Sequence, residues 1–121
     1  MQPNFILLYV ESARQSTQFY THLLGRQPVE ASSNFAMFAL DSGVMLGLWS
    51  RHEAAPSPQQ AGGGSELAFA VEGKSHVDQI HADWLARGIS VLQAPVAMDF
   101  GYTFCGEDPD GHRLRVFAPS A

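Results

Sequence analysis

Apolar residues and turn residues alternate along this chain in an order that occurs twice. In the first half an apolar run, residues 5–10, predicts a strand, and helical spacing then begins at Ser12 and ends at Gly25. Ser12 and Gln15 have the spacing of a capping box, which places the start of this helix. Shorter apolar runs bounded by turn residues predict three further strands, near residues 28–31, 34–40 and 44–50.

The second half repeats the same order of elements. Residues 67–71 predict a strand, and Ser75 with Asp78 indicates the cap of a second helix, which Gly88 ends. The segment Asp-Pro-Asp-Gly at residues 108–111 has the residue types of a hairpin turn. The remaining apolar runs predict strands near residues 89–94, 100–106 and 112–118. The whole pattern predicts an α+β fold built from two βαβββ modules.

A glycine-rich connector, residues 62–65, separates the two modules, which we place at residues 1–61 and 65–121 of a single domain. A module of this size cannot bury one face of a four-stranded sheet by itself. We therefore expect the modules to cover each other, either within the chain or across a homodimer. Their mixed sheets would then enclose a cleft, which is where small ligands bind.

Charge and cysteine content narrow the classes of function. The 121 residues include 7 Lys and Arg against 12 Asp and Glu, a formal charge of −5, which disfavours binding to nucleic acid. Cys105 is the single cysteine, so no disulfide can form within the chain, and a reducing compartment is favoured. The apolar run at residues 5–10 is too short to span a membrane. We expect a cytoplasmic protein with no membrane or nucleic-acid partner.

Several motifs in this order are similar to those of the vicinal oxygen chelate superfamily, also called the glyoxalase/bleomycin-resistance/dioxygenase fold. They are Tyr9-Val10-Glu11-Ser12, Phe19-Tyr20, Leu24-Gly25 and, above all, Asp108-Pro109-Asp110-Gly111-His112. Three further stretches resemble the branch of antibiotic-binding resistance proteins, those against phenazines especially: residues 48–50, 100–104 and 108–116. The resemblance implies paired βαβββ modules and a ligand cleft.

The resemblance also implies where a metal would bind. Enzymes of the superfamily hold a divalent metal with four His, Glu or Gln side chains, taken from the first and last strands of each module. The matching positions in this chain are Phe5, Gly47, Glu66 and Arg115. Only Glu66 has the chemistry of a metal ligand. We therefore expect no metal, no cofactor and no catalytic residue, and we expect Glu66 and Arg115 to form an ion pair instead.

Strand alternation assigns side chains to the expected cleft. Tyr9, Trp49 and Phe117 would line it, with Trp49 stacking on a flat ligand; ordinary core packing is the alternative for Trp49. Gly47 and Ala68 would leave space, and Arg115 could hold a ligand carboxylate. The complete set of expected ligand-binding residues is Phe5, Tyr9, Met45, Gly47, Trp49, Glu66, Ala68, Asp99, Gly101, Tyr102, Arg115 and Phe117.

The leading hypothesis is metal-independent binding and sequestration of an aromatic or antibiotic-like small molecule, in a cleft of a homodimer. The alternative is a metal-dependent lyase, isomerase or transferase of the same fold with a non-standard site. A third hypothesis is a regulatory binding module without a small ligand.

Overall fold

The computed structural model describes residues 1–60 and 62–120 and contains two compact units, Met1–Gly62 and Gly63–Ala121. Ala61, where we ended the first module, and Ala121 lie outside the described residues. Each unit contains one helix and one four-stranded mixed sheet in the order βαβββ, as predicted. Among the described residues, no helix is long and apolar enough to cross a membrane.

Unit 1 contains one sheet, which we call sheet A, with the strand order β1-β4-β3-β2. Strands β1 and β4 pair in parallel, and the other neighbours are antiparallel. Its elements are β1 (Phe5–Val10), α1 (Ala13–Leu24), β2 (Glu30–Ala31), β3 (Phe35–Ala39) and β4 (Met45–Ser50). Helix α1 packs on β3 and β4 and covers one face of sheet A.

Unit 2 contains sheet B, with the corresponding strand order β5-β8-β7-β6 and a parallel β5–β8 pair. Its elements are β5 (Glu66–Ala70), α2 (Lys74–Ala86), β6 (Val91–Met98), β7 (Gly101–Glu107) and β8 (Arg113–Pro119). Helix α2 packs on β6, β7 and β8. The hairpin between β7 and β8 is the predicted turn, because the Asp108 carboxylate accepts hydrogen bonds from the amides of Asp110 and His112, both at 2.9 Å.

The two helices begin differently. Ser12 caps α1 as predicted, because its hydroxyl accepts a hydrogen bond from the Gln15 amide at 3.1 Å. The predicted cap of α2 at Ser75 is wrong: α2 begins at Lys74 after Gly73, and no side chain caps it. Since Ser75 already lies in the first turn, its hydroxyl is past the position from which a side chain reaches the free amides.

One face of each sheet forms the core against its helix. In unit 1 this core includes Leu8, Val10, Phe38, Leu46 and Leu48, all buried together with Tyr20 of α1. In unit 2 Phe104, Leu114 and Val116 are buried with Val77 and Trp84 of α2. Side chains alternate along a strand, so the intervening residues occupy the opposite face, which we call the open face of each sheet.

Candidate functional site

The open face of sheet A is apolar and only half-buried. The β1–β4 register sets Tyr9 beside Trp49, and β3 adds Phe35 next to Trp49. Phe5 and Leu7 are 40% and 43% exposed, although they are large apolar side chains. The residues of β1, β3 and β4 on this face are Phe5, Leu7, Tyr9, Phe35, Met37, Ala39, Met45, Gly47 and Trp49.

The rings of Tyr9 and Trp49 form the aromatic part of this face. Their centroids are 6.3 Å apart and their planes are inclined by 33°. Trp49 is half-buried, whereas the other tryptophan, Trp84, is only 6% exposed and lies in the core beside Phe104. Trp49 therefore has ring surface available to a flat molecule, and Trp84 does not.

The space that we expected at Gly47 is not empty. A Cβ atom at this position would lie 2.7 Å from Leu7 Cδ2 and 2.8 Å from Phe5 Cε1. Because Gly47 has no side chain, these two residues of β1 lie close over its backbone. The glycine thus allows tight packing within the sheet instead of leaving a hollow for a ligand.

The open face of sheet B carries the predicted ion pair. Arg115 of β8 donates from Nε to Glu66 Oε1 at 2.7 Å and from Nη2 to Glu66 Oε2 at 3.0 Å. Glu66 lies in β5 beside β8, which pairs with it in parallel. This two-point contact is the strong geometry for a guanidinium and a carboxylate. The expectation that Glu66 and Arg115 meet is confirmed.

Three residues outside the expected ligand-binding set, Gln93, Thr103 and Phe100, also contact Arg115. Arg115 Nη1 donates to Gln93 Oε1 and to Thr103 Oγ1, both at 3.2 Å. The Phe100 ring lies with its centroid 5.9 Å from the guanidinium carbon, and it packs edge-on against Phe117. We call Arg115, Glu66, Gln93, Thr103 and Phe100 the arginine cluster. The motif at residues 100–104 was the available signal for Phe100 and Thr103.

Electrostatics keep both members of the ion pair charged. The hydrogen bond from Arg115 lowers the pKa of Glu66 from its ordinary value of 4.5, and the charges of Arg115 and Arg113 act in the same direction. The same contact raises the pKa of Arg115. Cys105, opposite Arg115 in the β7–β8 register, is buried, and burial raises the pKa of its thiol. Cys105 is therefore a poor nucleophile, as its sequence context indicated.

Tyr102 lies on the helix side of sheet B and not on the open face with the arginine cluster, and its role in ligand binding stays a prediction. Its hydroxyl donates to Asp78 Oδ1 of α2 at 2.8 Å, a contact that raises the pKa of Tyr102. The Lys74 ammonium lies 5.4 Å from its ring centroid. A cavity of about 430 Å³ adjoins Tyr102 on this helix side.

The other expected residues of sheet B take three different positions. Ala68 and Phe117 lie on the open face, where Ala68 pairs with Arg115 in the β5–β8 register. Gly101 begins β7 and packs against the Ala118 carbonyl. Asp99 lies exposed in the turn before β7, where its backbone carbonyl accepts a hydrogen bond from Ser120 at 3.5 Å.

The donor set does not fit the divalent metal of the superfamily's enzymes. Phe5 and Gly47 offer no ligand atom, and both carboxylate oxygens of Glu66 accept hydrogen bonds from Arg115. A guanidinium is permanently charged and has no lone pair to give to a cation. Across residues 1–60 and 62–120, no three His, Cys, Asp or Glu side chains are grouped so that they could hold a metal ion.

Comparisons with known proteins agree with this architecture. A family model described as the Glyoxalase/Bleomycin resistance protein/Dioxygenase superfamily matches residues 2–116. The phenazine antibiotic resistance protein EhpR of Enterobacter agglomerans is 30% identical over 119 residues, which cover 94% of this chain and 89% of EhpR.

Two solved structures extend the comparison. The solution NMR structure of protein ATC0852 from Agrobacterium tumefaciens has 51% sequence identity and a TM-score of 0.92, and the match covers 100% of this chain and 99% of that one. A glyoxalase-related enzyme from Fulvimarina pelagi is similar in fold alone, with 22% identity, a TM-score of 0.83, and coverage of 98% and 88%. With two βαβββ units and a family match over nearly its whole length, this chain belongs to the glyoxalase/bleomycin resistance protein/dioxygenase superfamily.

Proposed function

We propose that this protein binds an aromatic, antibiotic-like small molecule without covalent chemistry and without a metal. The observation that carries the proposal is the open face of sheet A, where Trp49 and Tyr9 present aromatic rings among half-exposed apolar side chains. Aromatic side chains bind flat ligands by offset stacking and bury a large area with few rotatable bonds. The ligand would be held by stacking on Trp49.

The relationship to EhpR supports this class of ligand. EhpR is a phenazine antibiotic resistance protein, and phenazines are planar tricyclic aromatics. Sequestration of such a compound requires a surface complementary to its shape and no reacting group. We carry over only this coarse property, a flat aromatic ligand, and we use phenazine as the probe in the experiment below.

The Glu66–Arg115 pair supports binding rather than metal-dependent chemistry. A cation bound to Glu66 would lie beside the permanently charged Arg115 guanidinium, which already neutralises this carboxylate. The competing function, a metal-dependent lyase, isomerase or transferase, needs donors that these positions do not supply. Elemental analysis of protein purified without chelators should give well below one Ni, Zn, Fe or Mn per chain, and a stoichiometric metal would favour the competing function.

The proposal also includes a homodimeric assembly and a cytoplasmic location. Exposed apolar side chains on β1, among them Phe5, Ile6 and Leu7, are of the kind that a second subunit covers, so we infer a homodimer. The ligand cleft that the sequence predicts stays a prediction. Cys105 is a free buried thiol, as expected of a protein kept in the cytoplasm.

The two tryptophans allow a matched test of the binding face. Phenazine should quench the fluorescence of a Trp84→Phe variant, in which Trp49 is the sole reporter, and calorimetry should give an unchanged affinity. A Trp49→Ala variant should keep its Trp84 fluorescence and bind phenazine about tenfold more weakly or worse, since stacking on an aromatic side chain contributes about 1–3 kcal/mol.

The opposite pattern would contradict the proposal. If quenching were lost in Trp84→Phe and kept in Trp49→Ala, the ligand would lie on the helix side of sheet B. If the unaltered protein did not bind phenazine, the proposed ligand class would be wrong.

A further inference from the structure

A polar groove of about 390 Å³ lies in unit 1 between α1 and the turn that joins β2 to β3. In the β2–β3 register Ala31 pairs with the buried Ala36, which places the groove on the helix side of sheet A, away from Trp49. Its lining residues are Arg14, Thr17, Gln18, Ala31, Ser32 and Ser33. We call this the α1 groove, and no part of the argument below depends on the proposed function.

Arg14 gives the α1 groove a positive charge, since none of the six lining residues is acidic. Within residues 1–60 and 62–120, Arg14 forms no ion pair and its side chain donates no hydrogen bond, whereas Arg26 and Arg87 each pair with a carboxylate. Arg14 lies in the first turn of α1, at the positive end of the helix dipole, so its charge does not stabilise the helix. The guanidinium is therefore available to an anion from solution.

The hydroxyl groups of the groove are already used as donors. Thr17 Oγ1 donates to the Ala13 carbonyl at 2.6 Å, and Ser33 Oγ donates to Asn34 Oδ1 at 3.0 Å. Ser32 Oγ donates within the β2–β3 turn at 3.3 Å and also accepts two amides of that turn. Because a hydroxyl has one hydrogen and two lone pairs, Thr17 and Ser33 can offer a ligand only acceptor oxygens.

Donors and acceptors of the groove are thus separated between different residues. Arg14 supplies five N–H groups and a charge, and the Gln18 side chain, which has no partner among the described residues, supplies an NH₂ group and a carbonyl. Thr17 and Ser33 require a ligand that donates hydrogen bonds to them. An inorganic anion would meet the donors alone, and an uncharged sugar would leave Arg14 without its ion pair.

We propose that the α1 groove binds a small polyhydroxylated anion of the sugar-phosphate class. The phosphate group accepts hydrogen bonds from Arg14 and Gln18, since a guanidinium matches the geometry of phosphate oxygens. The sugar hydroxyls donate to Thr17 and Ser33. This is a second ligand site, on the face of sheet A opposite to the aromatic rings.

Three probes separate the two parts of this recognition: ribose 5-phosphate, ribose and inorganic phosphate. In an NMR titration of the ¹⁵N-labelled protein at low ionic strength, ribose 5-phosphate should shift the amides of residues 14–18 and 31–33. Its dissociation constant should be about 1 mM or lower, as expected for a ligand of this size. Ribose and inorganic phosphate should each bind at least about fivefold more weakly, because each lacks one set of hydrogen-bonding groups.

Two substitutions in α1 assign the contacts. Arg14→Gln keeps a polar side chain at an exposed position and removes the charge, so the affinity for ribose 5-phosphate should fall about fivefold or more. Thr17→Val replaces the acceptor hydroxyl with a methyl group. It should weaken ribose 5-phosphate about threefold and leave inorganic phosphate unchanged.

Arg87→Gln is the matched control for the lost charge. Arg87 follows α2 in unit 2 and pairs with Asp83 at 3.0 Å, outside the α1 groove. This substitution changes the net charge by the same amount as Arg14→Gln and should leave the affinity for ribose 5-phosphate unchanged. Equal weakening by both substitutions would show a general effect of charge and would overturn the assignment of Arg14.

Each other result also decides the matter. Shifts that are absent from the α1 groove would overturn the site. Inorganic phosphate binding as tightly as ribose 5-phosphate would overturn the recognition of hydroxyl groups. Phenazine binding is measured separately on Trp49, so its success or failure tests the proposed function and leaves this inference to the three probes.

Discussion

The open faces of sheets A and B have the same strand order but different chemistry. In each unit the first and last strands pair in parallel and form the same kind of open surface. Sheet A places Trp49 beside Tyr9 on an uncharged surface, whereas sheet B places Arg115 beside Glu66 within a network of hydrogen bonds. Topology thus decides which positions face away from the helix, and the residue types at those positions decide what the face can bind.

The largest difference that we predict is between the glycines of the two faces. A Cβ at Gly101 would lie 2.1 Å from the Ala118 carbonyl oxygen, and its φ of 150° is one that other residues rarely adopt. At Gly47 the clash is with the ends of the Leu7 and Phe5 side chains, which are partly exposed and able to move. Gly101→Ala should reduce the free energy of unfolding by about 2–4 kcal/mol, and Gly47→Ala by about 1 kcal/mol.

Urea unfolding of both variants measures this difference. If both substitutions lowered the urea midpoint equally, the backbone contact at Gly101 would be no more restrictive than the side-chain contact at Gly47. A changed slope for either variant would indicate loss of two-state unfolding, and stabilities would then be compared by hydrogen exchange of the β7 and β8 amides.

We predict a smaller difference in stability between substitutions at the N-termini of the two helices. Ser12→Ala removes the hydroxyl that accepts the Gln15 amide and should cost about 1 kcal/mol. Ser75→Ala removes a hydroxyl that caps nothing, and alanine is the better helix former, so we expect a change of at most about 0.5 kcal/mol, in the stabilising direction. Thermal unfolding of the two variants compares them directly. A clear destabilisation by Ser75→Ala would instead support the cap that the sequence predicted for α2.

The smallest predicted effect is the contribution of Glu66 to the pH dependence of folding stability. Because Arg115 lowers the pKa of Glu66 in the folded protein, the unfolded chain binds the proton first as the pH falls. The stabilisation by Glu66 is therefore present above its ordinary pKa of 4.5 and lost as the pH falls through the lower folded value. Partial exposure limits this contribution to about 1 kcal/mol or less.

The stability of the protein relative to Glu66→Gln, followed by urea unfolding from pH 7 to pH 3, isolates this contribution. The difference between the two proteins should be constant near neutral pH and shrink below pH 4.5. A difference that grew on acidification would contradict the ion pair. Asp83→Asn serves as the comparison, because Asp83 forms an exposed ion pair with Arg87 at 3.0 Å at the end of α2.

Much of the fold was predictable because its signals are local or periodic. The limits of β1 and the cap at Ser12 follow from a short apolar run and a capping spacing. The repeat of the same order in the second half predicted the βαβββ plan of unit 2. The Glu66–Arg115 contact was expected from the family resemblance, which implies that both residues occupy metal-ligand positions on the first and last strands of the second module.

Tertiary structure decided which residues complete the site. Tyr102 pairs with Ala118 and Thr103 with Phe117, and this register turns Thr103 toward Arg115 and Tyr102 toward α2. A shift of one residue would exchange them, so the register of the β7–β8 hairpin decides which of the two side chains faces Arg115. The sequence by itself therefore determined the repeated βαβββ plan, the start of α1 at Ser12 and the residue types on the first and last strands of each unit. Only the pairing of strands distant in the chain brought Gln93, Thr103 and Phe100 to Arg115, because contacts among them depend on sheet geometry rather than on neighbours in sequence.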